Sequence, residues 1–224
     1  MSRWKSFSLG HHETIPPYVL ELFQPEDEVL REIRERSKAA GLPDIQVGGM
    51  DARHLEVLTR MVGATKAVEI GTLGGYSGVA ILKGLRPGGT LDTFEFSPKH
   101  AAIAVESFRK AGFGDQAHVH VGPALENLAA IEKKGPFDVV FIDANKADYP
   151  RYLDWAATHL RSGGIVIGDN TFAFGHLADE PREDHPEKTA VIAMQAFNTK
   201  LARDPRFRAT ILPTGEGLTV GVKL

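Results

Sequence analysis

The chain has 224 residues, 42% of them hydrophobic, enough to bury one large core. Its 26 Lys plus Arg stand against 29 Asp plus Glu, a net charge of −3 without long single-sign blocks, so it lacks the electrostatic footprint of a nucleic-acid or anionic-membrane binder. Having no cysteine excludes disulfides, thiolate metal sites and a thiol nucleophile, and with neither a signal-peptide core nor an apolar run near the roughly 18 to 20 residues of a membrane span, a cytoplasmic protein is expected.

Residues 14–23 predict a short helix, with Val19, Leu22 and Phe23 at helical spacing and Pro16 and Pro17 in the first turn. The clearest helix covers 25–40: Pro25 opens it, Glu26, Asp27 and Glu28 complement the N-terminal dipole, and Gly41 with Pro43 stops it. Asp27 with Arg31 and Glu32 with Arg36 form i,i+4 pairs, and the narrow stripe Val29, Leu30, Ile33 and Ala40 predicts a half-exposed helix. A third helix over 51–62 carries Leu55, Leu58 and Met61. Residues 1–45 are expected to form a helical flank, a lid or dimer segment, and 46–224 the main domain.

From Lys66 onwards strands and helices alternate. Strands are predicted over 67–70, 90–96, 118–121, 137–142 and 165–168, with helices over 76–85, 97–112, 124–134 and 149–160 between them. In the helix over 97–112, Ser97 is the cap and Ala101, Val105 and Phe108 point inward. Such alternation means a parallel sheet covered on both faces. Residues 207–212 and 218–224, joined by PTGEG, read as a hairpin that puts at least one antiparallel strand on that sheet.

The organising stretch is KAVEIGTLGGYS, residues 66–77. Gly71, Gly74 and Gly75 let the backbone bend sharply and approach a ligand, and the helix that follows directs unpaired N–H groups towards it. Glu69 at the strand end argues against a phosphate, and the spacing matches neither G-x-G-x-x-G nor a Walker loop. A cationic ligand with ribose hydroxyls suits these residues, and S-adenosylmethionine is one. Glu95, ending the next strand, stands where nucleotide folds place the ribose-binding acid.

Two further strand ends carry polar groups. FDVVFIDANK ends the fourth strand on Asp143, with Lys146 three residues on, and GGIVIGDN ends the fifth on Asp169 and Asn170. In an open parallel sheet these would share the ligand rim with Glu69 and Glu95. Asp143, Asp169 and Asn170 offer hard oxygen ligands suited to Mg²⁺ or Ca²⁺ more than Zn²⁺. Taken singly, the blander readings are a helix cap for Asp143, a turn for the Asp-Asn pair and a surface lysine for Lys146; their joint occurrence favours a site. The nine histidines show no zinc-type spacing, and His11 and His12 fall in a loose tail. His176, in the loop over 171–186, is the one near the proposed metal, and an ordinary polar loop residue is its simpler reading.

EIGTLGGYS, Glu95, Gly122-Pro123-Ala124, Ile142-Asp-Ala-Asn-Lys146 and Gly168-Asp-Asn170 together resemble the metal-dependent class I O-methyltransferases of the caffeoyl-CoA and catechol type and their bacterial relatives. The resemblance runs from about residue 46 to the C-terminal hairpin. It implies an α/β, Rossmann-like fold whose seven-stranded sheet is mostly parallel with an antiparallel last strand, covered by helices on both faces. It also implies a homodimer. Glu69, Gly71, Thr72 and Ser77 would hold the methionine part of the cofactor, Glu95 the ribose and Ala124 the adenine edge. Val47 would add a backbone contact, and Asp143 would adjoin the cofactor as well as the metal.

By the same resemblance Asp143, Asp169 and Asn170 match the metal ligands, with Mg²⁺ expected and Ca²⁺ or Mn²⁺ as alternatives, and Lys146 matches the general base. Two positions depart from the family. Asn145 stands where a second Asp is common, and Phe172-Ala173-Phe174 follows the Asp-Asn pair where plant relatives place a Trp, so the plant substrate pocket is not implied. The function expected is metal-assisted methylation of a hydroxyl on a catechol-like or other vicinal-hydroxyl small molecule. A tRNA-modifying methyltransferase of the same fold needs a basic surface, a nicotinamide-dependent dehydrogenase needs the missing glycine motif, and a non-catalytic subunit would not need Lys146 with all three ligands.

Overall fold

The computed structural model describes residues 14–224; His11 and His12 lie outside them. Its strands are β1 (Lys66–Ile70), β2 (Thr90–Glu95), β3 (Ala117–Val121), β4 (Phe137–Ile142), β5 (Leu160–Gly168), β6 (Phe207–Leu212) and β7 (Leu218–Lys223). They form one sheet in the order β3-β2-β1-β4-β5-β7-β6, with the first five parallel and β7 antiparallel to both β5 and β6. The order reverses between β1 and β4, and a crevice opens at the carboxyl ends of parallel strands at such a point.

The helices are α1 (Ile15–Phe23), α2 (Glu28–Ala39), α3 (Gly49–Met61), α4 (Tyr76–Gly84), α5 (Pro98–Lys110), α6 (Ala124–Asn127), α7 (Tyr149–His159) and α8 (Lys188–Arg203). They cover both faces, which is why β1 and β4 are apolar runs rather than alternating patterns. On one face Leu30, Ile33, Leu55, Val79, Ile81 and Phe108 pack with Phe141 and Ile167. On the other Leu128, Leu153, Met194 and Phe197 pack with Val68, Ile70 and Val140. Truncating a buried ring such as Phe197 to Ala costs about 3–5 kcal/mol by lost burial and residual cavity.

Several elements differ from the sequence expectations. The second helix begins at Glu28, because Asp27 rather than Pro25 ends the approach: its Oδ1 accepts from the Leu30 N–H as an N-cap. The expected i,i+4 pairs give way to longer reach, Asp27 to Lys83 and Arg36 to Glu106. Val105 is 52% exposed and Met61 75% exposed, both turned off their helices' buried faces. The helix expected over 124–134 is four residues of α6 followed by a 3₁₀ segment, Leu128–Lys134. Its buried residues Leu128 and Ile131 are three apart, matching three residues per turn. β5 begins five residues earlier than predicted, with Leu160 paired to Phe137 across a register shift that absorbs the following Ser162-Gly163-Gly164. α8 was not predicted.

Candidate active site

Backbone hydrogen bonds carry the sheet one residue past each central strand. The Gly71 N–H donates to the Phe94 carbonyl, Asp143 N–H to Ile70, and Asp169 N–H to Ile142. Gly71, Asp143 and Asp169 therefore leave the sheet side by side, on the rim where the strand order reverses. Gly71 has φ 103°, and a Cβ there would collide with the Asp143 carbonyl. Only glycine permits this approach of the β1 turn to the β4 end.

The rim opens into a cavity of about 1010 Å³. Val47, Gly71, Thr72, Ser77, Glu95, Ala124, Asp143, Lys146, Asp169 and Asn170 all line it. Glu69 does not. It is fully buried beneath the wall, accepting hydrogen bonds from Ser77 Oγ and Thr93 Oγ1, both at 2.6 Å. Thr93 is its register partner on β2. Burial pushes the Glu69 carboxyl up to about 8 against those two donors, so near neutrality it holds a proton. Glu95 is held in place by two backbone donors, Oε2 accepting from the Leu73 N–H at 2.8 Å and Oε1 from the Ser97 N–H at 2.9 Å.

Asp169 is 4% exposed, and burial together with the neighbouring Asp143 charge pushes its carboxyl up to about 7. Two carboxyl groups at adjacent strand ends, with Lys146 Nζ 3.1 Å from Asp143 Oδ1 and no ion pair to Asp169 among the described residues, form a site short of positive charge. A hard divalent cation fits that donor set of two carboxylates and the Asn170 amide. Asn170 itself takes φ 51°, the left-handed conformation that Asn tolerates better than most residues.

Three neighbours of this site were not singled out in the sequence. Asp51, at the first turn of α3, lines the cavity, and burial raises its pKa. Glu216, in the β6–β7 turn, lines it too. Tyr149, fully buried, donates to the Ile142 and Asp169 carbonyls and accepts from Lys146 Nζ. The signal for Tyr149 was its spacing of three from Lys146 at the start of α7. Phe174 also lines the cavity, whereas Phe172 stacks against Gly217.

His176 is not among the lining residues. Its Nδ1 lies 2.7 Å from Asp179 Oδ2, and His185 Nε2 lies 3.2 Å from the same oxygen. His185 Nδ1 accepts from the Glu187 N–H, so its own proton sits on Nε2 and points at Asp179. As arranged, this cluster is a carboxylate shared by two imidazole donors, clasping the loop.

The family model described as O-methyltransferase matches residues 21–224. A catechol O-methyltransferase of Niastella koreensis is 34% identical over 213 residues, 94% of this chain and 92% of that protein. The O-methyltransferase from Bacillus cereus in complex with SAH superposes with a TM-score of 0.86 at 34% identity, covering 98% of this chain and 99% of that one. TomG from Streptomyces achromogenes, an O-methyltransferase in tomaymycin synthesis solved with SAM, gives 0.84 at 31% identity over 100% of this chain and 99% of its own. With the sheet order, the glycine turn and these matches in agreement, the chain belongs to the family of S-adenosylmethionine-dependent O-methyltransferases and has the class I methyltransferase fold.

Proposed function

We propose that this enzyme methylates a hydroxyl of a catechol-like, vicinal-hydroxyl small molecule with the help of a divalent cation. One observation carries the reading: Asp143, Asp169, Asn170 and Lys146 share the rim of the cavity lined by the cofactor turn. Asp143, Asp169 and Asn170 would hold the cation, Mg²⁺ being the best match to hard oxygen donors. When bound, such an ion supplies Lewis acidity that lowers a phenol pKa of about 10 towards neutrality. Glu95 would take the ribose hydroxyls, Thr72 and Ser77 the methionine end, and Ala124 the adenine edge. Glu69 acts from behind the wall, orienting Ser77.

Lys146, as the neutral amine, would accept the hydroxyl proton at Nζ, the bound cation taking over from it as the counter-ion of Asp143. S-adenosylmethionine is the second substrate, and its methyl passes from sulfur to the substrate oxygen. Catalysis is then largely positioning of oxygen and methyl carbon, which well-oriented sites exploit strongly. The catechol O-methyltransferase of Niastella koreensis supports the substrate class.

A methyl-transfer screen over catechols, hydroxycinnamoyl thioesters, flavonoids and bulk tRNA, with and without EDTA, tests this. Chelator-sensitive methylation of the catechols is expected; turnover of tRNA alone, or turnover indifferent to EDTA, would sink it. We further propose a homodimer. α1 has no buried residue, and Tyr18, Leu22 and Phe23 are 62%, 59% and 61% exposed. A monomer in sedimentation at micromolar concentration would count against it. Among the described residues no helix is long and apolar enough to cross a membrane.

A further inference from the structure

Lys146 has three tetrahedral positions on Nζ besides its own chain. One N–H points to Tyr149 Oη at 2.6 Å, a second to Asp143 Oδ1 at 3.1 Å, and the amine lines the cavity. Tyr149 can fill only one role here. Its single proton faces two carbonyls, Ile142 at 3.0 Å and Asp169 at 3.2 Å, neither of which can donate, so its lone pair must receive the lysine.

The ring is equally fixed. Tyr149 is fully buried, its face lies 4.6 Å beneath Lys146 Nζ, and its edge meets Phe197 of α8 at 5.4 Å between centroids. Through its hydroxyl one side chain thus grips the ends of β4 and β5 and the lysine between them.

We propose that Tyr149 is a positioning residue for methyl transfer, which aims Lys146 by accepting one of its N–H bonds. With a second N–H on Asp143, the only position left on the neutral amine is its lone pair, which is thereby directed into the cavity towards the substrate hydroxyl. This rests on the reading of Lys146 as the base. Without the Tyr149 hydroxyl the amine has one anchor instead of two and rotates about Cε–Nζ and the side-chain torsions, so fewer encounters present a lone pair to the substrate.

Tyr149→Phe keeps the ring, its edge contact and its face to the lysine, and removes only the hydroxyl. The expected result is a 10- to 100-fold fall in kcat with KM for the hydroxylated substrate within about threefold of the parent. Mn²⁺ affinity, read by calorimetry without substrate, is expected within about threefold of the parent as well. The deciding measurement is a double-mutant cycle. In a Lys146→Ala background, Tyr149→Phe is expected to slow the enzyme no further, because a residue acting through another has nothing left to act on.

Two results would overturn the inference alone: a full additional loss in the Lys146→Ala background, or a fall in Mn²⁺ affinity matching the fall in kcat, either of which makes Tyr149 a brace for the Asp169 rim. If Lys146→Ala turns over like the parent, the lysine is not the base and both readings fall together. Where Tyr149→Phe does not fold, Tyr149 is replaced by 3,5-difluorotyrosine, which keeps the ring and the hydroxyl in place and weakens the oxygen as an acceptor; a fall in kcat with Mn²⁺ affinity within about threefold of the parent is then expected, and an unchanged kcat overturns the proposal.

Discussion

Gly71 and Asp143 meet backbone to backbone: the turn after β1 passes so close beneath the Asp143 carbonyl that no side chain fits between them. The contact joins the turn proposed to hold the cofactor to the first of the proposed metal ligands, so a shift of one presses on the other. Gly71→Ala is expected to destabilise the fold by more than the ~1–3 kcal/mol of backbone strain at its φ of 103°, since the collision adds to it, and to weaken both cofactor and cation binding. Gly88→Ala is the control, because Gly88 also has positive φ, 78°, but nothing lies within 4 Å of an added Cβ. Melting curves and calorimetry on both variants decide it. Equal destabilisation would mean that the contact carries no strain.

Much of this was legible because strand ends are marked by chemistry. In β1 and β4 the apolar run stops at a glycine or an acid, and the register of a parallel sheet brings those stops to one edge. Glu69 was legible as an acid but not as a buried one: its hydroxyl partners Ser77 and Thr93 come from a helix and a neighbouring strand, and only the β1–β2 register unites them. α8 did carry a signal, Ala190, Val191, Met194, Phe197 and Leu201 at helical spacing, all buried. The charged, proline-containing stretch before it has the composition of a loop and masks where the helix begins. Val105 is exposed because the buried face of α5 runs through Ala101, Ala104, Ser107 and Phe108, and Val105 lies about a quarter turn off its centre.

Glu69 predicts a pH dependence of the cofactor-free fold. Its carboxyl rises from an ordinary 4.5 to about 8 in the folded protein, with burial as the main cause. Between these values the folded chain holds a proton that the unfolded chain releases, so stability must fall as pH rises. The contribution is whole below about 4.5 and is lost as pH passes through about 8. Glu69→Gln, neutral throughout, should show a flatter decline in melting temperature from pH 5 to 8.5. A decline identical to the parent's would show that Glu69 is ionised at neutral pH.

Glu95 has a different prospect. Both of its oxygens already accept a backbone N–H, from Leu73 and Ser97, so its carboxylate is preset for whatever it receives from the cavity. Glu95→Ala is expected to weaken S-adenosylmethionine binding by roughly 1.5–3 kcal/mol, the scale of hydrogen bonds to a charged group. Titration calorimetry reads it directly. Unchanged affinity would remove Glu95 from the ribose role.

Asp169 tests the metal reading most sharply, because its two expected effects have opposite sign. Without a cation, Asp169 sits 4% exposed beside Asp143, its carboxyl raised to about 7 by burial and by that neighbouring charge. Its deprotonation above pH 7 therefore costs stability, and Asp169→Asn should raise the melting temperature of the metal-free protein at pH 8. With a cation the sign reverses. The ion loses a full negative charge from its donor set, so affinity for Mg²⁺ or Mn²⁺ should fall by more than about 100-fold, beyond what losing a neighbouring partner costs. In the parent the cation competes with the Asp169 proton, so its affinity should climb as pH rises through about 7 and level off above. Cofactor binding should persist in the variant, since Glu95 and Ser77 stand apart from the lost charge. An Asp169→Asn enzyme that is no more stable without metal and keeps EDTA-sensitive turnover at the parent's rate would return the Asp-Asn pair to a structural turn at the end of β5.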